Sequence, residues 1–280
     1  MMRILFAGVM VLAAAAAVAQ QPPDEAALQE LRAGKGFIAT PVFTAEEDQA
    51  LIALYAGLRV ADVSDGMDAA GLQNVGLVDR AIRPLWTDTT TYRHRFVGIA
   101  VTARYVPTNL PPAGRREAAD FDRWVGQWYE ELSPEPFDVL LRPGSVLVLD
   151  DADNVDVGSI GSYNILAWKQ RGMVGVVTDG TARDTDEVET EGVPLYLRGV
   201  GRGIRPGRNQ IESVNRPVVC GGVLVVPGDV VVADGDGVIV VPRAVAAEVA
   251  RYARGILDGD KAGRRELYRE LGLPADPSVE

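Results

Sequence analysis

The stretch "VGVVTDGTARDTDEV", residues 174–188, breaks a valine-rich run at a glycine turn and then sets Arg183 directly beside Asp184. A guanidinium presents a planar fork of donors that matches a carboxylate or phosphate bidentately. The neighbouring carboxylate is a hard oxygen ligand for a divalent cation. In an open α/β sheet, ligands gather beyond the carboxyl ends of strands, and "TDGTARD" begins where the strand-like "MVGVV" ends. Gly180, after Asp179, is expected to take a positive φ in this turn. Upstream, "GSIGSYNILAWKQRG" reads as a helix approached through Gly158 and Gly161. Free amides of Gly161, Ser162 and Tyr163, at the positive end of that helix, would attract an anion. The candidate site is therefore Arg183 with Gly161, Ser162 and Tyr163 for the substrate, and Asp184 for a metal. The plainer alternative is a surface turn, where an Arg–Asp pair contributes roughly 0–1 kcal/mol and no chemistry.

Other polar features have structural readings. His94 is the one histidine, so a multi-histidine zinc site is excluded and any metal should be a hard ion held by oxygen, Mg2+ or Mn2+. His94 itself, in "TTTYRHRF", reads as a hydrogen-bonded structural side chain. Cys220 stands alone and reads as a small buried hydrophobe. The string "RGVGRGIRPG" lacks the preceding strand and following helix that a dinucleotide fingerprint needs. Its Arg198, Arg202 and Arg205, with Arg208, read as a solvated loop. Asp62, Asp65 and Asp68 fall three apart, and Ser64 as a cap for "DGMDAAG" accounts for them without chemistry.

The elements that must position these residues follow from periodicity and punctuation. "TAEEDQALIALYAGL" offers Thr44 as an N-cap with Glu47 three residues on, the reciprocal capping pattern, before a helical face of Leu51, Ile52, Leu54 and Tyr55. "FVGIAVTARYV" (96–106) is a strand by its β-branched content. Residues 107–145 form a helical insertion, with Trp124 and Trp128 four apart on one face. "SVLVLDDADN" is a strand running into Asp150, Asp151 and Asp153. With the helix and strand that follow, it predicts a parallel pair joined by a right-handed crossover. "GGVLVVPGDVVVADGDGVIVVP" predicts an antiparallel meander of three runs. Two helices, "RAVAAEVARYARGIL" and "GRRELYREL", are expected to close the chain.

The 280 residues carry 47% hydrophobic and 24% charged side chains, the composition of a globular protein. A net charge of −11 opposes nucleic acid as a partner. "MMRILFAGVMVLAAAAAVAQ" has Arg3, a fifteen-residue apolar stretch and Ala17-Val18-Ala19, the build of a secretory signal over 1–19. Fifteen apolar residues fall short of the ~20 that span a bilayer, so no stable membrane anchor is expected after cleavage. A secreted or periplasmic location follows, with 20–44 as a leader and 45–280 as a single domain.

Four blocks, "VADVSDGMDAAG" (60–71), "GSIGSYNILAWKQRGMVGVVTDGTARDTDEV" (158–188), "NRPVVCGGVLVVPGDVVVADGDGVIVVP" (215–242) and "DKAGRRELYRELGLP" (260–274), resemble the RraA-like family. That family includes 4-hydroxy-4-methyl-2-oxoglutarate aldolases and a regulator of ribonuclease activity. The resemblance implies a swivelling α/β/β sandwich domain, assembled as a homotrimer or homohexamer with sites at subunit boundaries. It implies that Arg183 binds a substrate carboxylate, that Asp184 binds Mg2+ or Mn2+ largely through waters, and that the amides of Gly161 to Tyr163 complete the anion pocket. The implied reaction is cleavage of a carbon–carbon bond in a small 2-oxo acid, releasing pyruvate, or decarboxylation of oxaloacetate. The alternative it implies is a non-catalytic, exported trimeric binding protein. Ser162 departs from the pattern, standing where many aldolases have an acid; so do the insertion at 107–145 and the secretory signal.

Overall fold

The computed structural model describes residues 24–151 and 156–279. The expected signal segment and Asp153 lie outside the described residues. The chain divides into two units, Met1–Ala39 and Thr40–Glu280. The first contributes one described helix, α1 (Glu25–Arg32), capped by Asp24.

The second unit contains, in chain order, α2 (Ala45–Leu54), α3 (Val60–Ala69), β1 (Arg83–Pro84), β2 (Phe96–Pro107), α4 (Ala118–Glu131), β3 (Ser145–Asp150), α5 (Ser162–Gln170), β4 (Met173–Thr178), β5 (Thr181–Ala182), α6 (Thr185–Glu191), β6 (Leu195–Leu197), β7 (Gly199–Val200), β8 (Asn209–Val214), β9 (Val218–Cys220), β10 (Val223–Val225), β11 (Val230–Asp234), β12 (Gly237–Val241) and α7 (Ala246–Leu271). The main sheet runs β1-β6-β4-β3-β2-β11-β12, and β8 also pairs with β2. Strands β2, β3, β4 and β6 are parallel neighbours. Their successive connections carry α4, α5 and α6, so the 107–145 segment is the crossover between β2 and β3.

Alternation along the strands divides the core. Leu147 and Leu149 pack with Ile165, Trp168 and Val188 on the helical face, while Val146 and Val148 pack with Val218, Cys220 and Val225 on the other. At the β11–β12 end, Val230, Val232, Ile239 and Val241 bury against α2, α3 and α7. Helices therefore cover one face of the sheet and the β9–β10 hairpin the other, a mixed α/β architecture of the α/β/β kind. Among the described residues, no helix is long and apolar enough to cross a membrane.

Three elements differ from the sequence reading. Helix α3 begins at Val60, so Ser64 is mid-helix rather than a cap. Its start is held by Asp62, which accepts the Arg59 amide at 2.9 Å, and by Asp234, which accepts the Val60 amide at 2.9 Å across the fold. Gly66 lets α3 press on α7, since a Cβ there would meet the Val249 carbonyl oxygen at 2.8 Å. The three-run meander is in fact two hairpins: β11 pairs with β12, and β10 pairs with β9. Gly221 and Gly222, at φ +53° and +79°, supply the left-handed pair that closes β9 onto β10. The closing helices are one, α7, 26 residues long. Gly259 and Gly263 cost it about 1 kcal/mol each relative to alanine, which packing of Val249, Ala250, Ala253 and Leu257 on its first half outweighs. The Thr44–Glu47 capping box forms as read, at 3.2 and 2.7 Å.

Candidate active site

The parallel strands end together, and the loops beyond them build the site. Asp179, just past β4, ties these loops: its carboxylate accepts the Asp151 amide and the Gly221 amide, each at 3.2 Å. Burial pushes this carboxyl above the usual range, against the pull of those amides. Gly180 is not in the left-handed region, contrary to expectation. Its requirement is space, because a Cβ would lie 2.8 Å from the Cβ of Asp151.

The chain then runs through β5, which pairs with β7 on one side and bridges Ile160 on the other. The Arg183 amide donates to the Ile160 carbonyl at 2.8 Å, and the Ser159 amide donates to that of Thr181 at 3.1 Å. These bonds lay the "GSIG" segment alongside "TARD". The glycines have separate tasks there. A Cβ at residue 158 would lie 2.5 Å from the Arg183 Cβ, so Gly158 admits the arginine stem. A Cβ at residue 161 would lie 2.8 Å from Asp184 Oδ2 and 3.6 Å from Arg183 Nε, so Gly161 leaves room for both functional groups.

Asp184 adopts a left-handed conformation, φ 54° and ψ 40°, as the N-cap of α6, and its side chain makes no cap bond there. Such a backbone costs a non-glycine residue roughly 1–2 kcal/mol, least for aspartate and asparagine. The carboxylate turns instead toward α5, where Oδ2 accepts the Ser162 amide at 3.3 Å and lies 3.7 Å from Arg183 Nε. A carboxylate at the positive end of α5 is electrostatically favoured. The Ser162 amide is thus already engaged, a correction to the reading that all three amides are free. Gly161 is the N-cap of α5, and Tyr163 belongs to its first turn, with the phenol side exposed to solvent. The Arg183 and Asp184 side chains are 34% and 40% exposed. Among the described residues the Arg183 guanidinium makes no hydrogen bond, so its fork is available to a ligand.

The structure brings Arg183, Asp184, Gly161 and Ser162 into one half-exposed corner: a cation's fork, a carboxylate and a helix start. Among the described residues no cluster of three or more His, Cys, Asp or Glu side chains could hold a metal. A cation at Asp184 would therefore keep most of its shell as water, which suits Mg2+ and not a fully protein-ligated zinc. The room that Gly161 leaves in front of Asp184 Oδ2 fits that role.

Two neighbours of the corner escaped the sequence reading. Asn164, in the first turn of α5, donates through Nδ2 to Glu135 Oε1 at 2.7 Å. Glu135 also accepts the Trp168 indole N–H at 2.9 Å and an Arg205 guanidinium bond. Arg205 is 4% exposed and donates to the Tyr105 hydroxyl at 2.8 Å, so it is a buried ion-pair member and not part of a solvated loop. The other arginines of that string do face acids or carbonyls: Arg198 pairs with Asp79 at 3.0 Å, Arg202 with Asp156, and Arg208 donates to the Ile204 carbonyl at 2.9 Å. Buried Tyr105, half-buried Tyr129 and the Glu135 partner distinguish Arg205, and their proximity is not visible in the chain order. His94 is buried with Nδ1 accepting the Asp88 amide at 2.9 Å, and Cys220 is buried, both as read.

The corner thus lies beyond the carboxyl ends of parallel strands in a layered α/β domain. The chain itself belongs to the RraA-like family, described as Aldolase/RraA, whose pattern matches residues 60–240. A Halalkalibacterium halodurans protein provisionally named a 4-hydroxy-4-methyl-2-oxoglutarate aldolase is 31% identical over 125 residues, 45% of this chain. The match spans 59% of that relative's length. A Pseudomonas syringae protein of uncharacterised function superposes with a TM-score of 0.61 at 27% identity, covering 86% of this chain and 100% of that one. Streptomyces coelicolor RraAS2, described as an unusual member of the RNase ES inhibitor RraA family, superposes with a TM-score of 0.60 at 26% identity, covering 80% of this chain and 99% of that one.

Proposed function

We propose that the protein is a divalent-metal-dependent lyase that cleaves a carbon–carbon bond of a small 2-oxo acid, by retro-aldol cleavage of a 4-hydroxy-2-oxo diacid or decarboxylation of oxaloacetate, releasing pyruvate. The observation that carries this reading is the Arg183 fork, which makes no hydrogen bond among the described residues, beside Asp184 Oδ2 at the start of α5. Arg183 grips the substrate carboxylate and sets its plane. The amides of Gly161 and Tyr163 and the positive end of α5 add to the anion's hold. Asp184, anchored by the Ser162 amide, keeps its carboxylate at the start of α5, where it would hold the cation. Asp184 would hold Mg2+ or Mn2+, which would supply positive charge to offset the negative charge that builds on the substrate oxygen as the bond breaks. The left-handed backbone at Asp184 fits a residue held for chemistry at some cost to stability.

The half-exposed corner also fits completion by a neighbouring subunit, in a homotrimer or homohexamer, and the N-terminal sequence fits export to the periplasm or medium. Sedimentation and N-terminal sequencing of the mature protein test those two points. The reaction is tested by following pyruvate from oxaloacetate and from 4-hydroxy-2-oxo diacids, with Mg2+ or Mn2+ and with chelator. Turnover lost with chelator, in Arg183→Ala and in Asp184→Asn, with folding retained, is expected. Turnover indifferent to all three overturns a metal-dependent lyase at this corner, and no turnover by a folded wild type favours the non-catalytic binding protein instead.

A further inference from the structure

Asn164 and Glu135 form a unit that reaches the corner from outside the Arg183–Asp184 pair. A side-chain amide has two nearly interchangeable ends, and which one faces a site depends on its other partners. Here the partner is decisive: Glu135 Oε1 accepts at 2.7 Å and, as a carboxylate, can only accept, so the NH2 end must face it. The opposite end, Oδ1, faces the corner. It lies 3.7 Å from the point where a Cβ of residue 161 would stand, the same point that is 2.8 Å from Asp184 Oδ2. A neutral oxygen and a charged oxygen therefore flank one small space that glycine keeps open.

Glu135 is itself held from several sides. The Trp168 indole N–H, one turn further along α5, donates to Oε2 at 2.9 Å, and the buried Arg205 balances the charge. Arg205 is braced by the Tyr105 hydroxyl and lies over the Tyr105 and Tyr129 rings at 5.3 and 5.1 Å. The Tyr105 hydroxyl in turn donates to the Pro134 carbonyl at 2.8 Å, next to Glu135. Glu135 and Tyr129 both belong to the 107–145 connection, so that segment reaches the start of α5 through a buried charged network.

Resting on the metal-dependent reading above, we propose that Asn164 Oδ1 is the second protein oxygen at the divalent-cation site, beside Asp184, and that Glu135 of the β2–β3 connection is the positioning residue that fixes its orientation. A single carboxylate plus a neutral amide oxygen is a weakly charged donor set, appropriate to a hydrated Mg2+ or Mn2+. Residues that orient or supplement a metal's ligands typically change its affinity by about 10–100-fold.

The test is direct titration of Mn2+ into the mature protein, reading free Mn2+ by electron paramagnetic resonance, with circular dichroism as the folding control. Asp184→Asn should abolish binding, and Asn164→Leu and Asn164→Ala should each weaken it about tenfold or more. Glu135→Gln with Arg205→Met removes both buried charges together, so that no lone charge is left inside. Glutamine has one acceptor for two donors, so Asn164 becomes free to flip, and Mn2+ binding should fall several-fold in that double variant. Binding lost in Asp184→Asn but unchanged in both Asn164 variants overturns the proposal alone. Weakened binding in the Asn164 variants with none in the folded double variant overturns the role of Glu135. Mn2+ binding that ignores Asp184→Asn overturns the metal reading itself, and this inference with it.

Discussion

Arg183–Asp184 and Arg205–Glu135 are both arginine–carboxylate pairs, and the domain treats them in opposite ways. Arg205 is 5% exposed in its side chain, its partner 18%; Arg205 donates to the Tyr105 hydroxyl and to Glu135, and both Glu135 oxygens accept hydrogen bonds. Arg183 and Asp184 stay at 3.7 Å, more than a third exposed on average, with the guanidinium making no hydrogen bond among the described residues. A pair that is fully satisfied contributes to the shape of the protein, while a pair held just apart keeps its hydrogen-bonding capacity for something else. The backbone tells the same story, since Asp184 is held left-handed.

The largest effect that can break this comparison is on the buried pair. Glu135→Ala or Arg205→Ala leaves one charge buried without its partner and should cost about 3–5 kcal/mol in urea unfolding. A loss under about 1 kcal/mol would mean that the network is as dispensable as a surface pair. Next, Gly158→Ala places a methyl 2.5 Å from the Arg183 Cβ. It should cost roughly 1–3 kcal/mol, as overpacking does, and lower kcat/KM by displacing the guanidinium. Smaller again is Arg183→Ala, expected to change stability by less than about 1 kcal/mol while pyruvate release falls at least about a hundredfold. Asp184→Gly should leave stability unchanged or raise it by about 0.5–1 kcal/mol, because glycine accepts positive φ freely, and should also abolish turnover. If that variant is clearly less stable, Asp184 has a structural role as well.

A control away from both pairs comes from His94. Burial, then the charge of Arg95, lowers its pKa in the folded protein. A lowered folded-state value means that the unfolded chain binds the proton more readily. Stability is therefore full above the unfolded value of about 6.5 and declines as the pH falls through it toward the lower folded value. Denaturation midpoints between neutral pH and pH 5 should show this decline in the wild type and a flatter profile in His94→Gln, once the carboxylate background common to both is subtracted.

Much of this was readable from local signals. The Thr44–Glu47 capping box, the strands ending at Asp150 and Thr178, and α5 between them follow from cap chemistry, β-branched runs and glycine stops, which act over a few residues. The position of Arg183 and Asp184 beyond a strand end followed from the same signals and the general rule for open sheets. The errors share a cause. The start of α3 depends on Asp234, 174 residues away, and the continuity of α7 depends on packing against α3 that offsets its glycines. The β10 pairing turned on two left-handed glycines that chose β9 over β11.

The corner shows where that division lies. Residue order placed a guanidinium, a carboxylate and a helix start near the ends of two strands, because strand period and helix capping are written in neighbouring residues. Chain order left open that Asp184 would take the Ser162 amide, that Asn164 would be turned by Glu135 across 29 residues, or that Arg205 would be buried with Glu135 across 70. Those contacts exist only after the parallel crossovers have stacked α4, α5 and the β5–β7 pair. Hydrogen bonds and desolvation are set by distances through space, which separation along the chain does not encode.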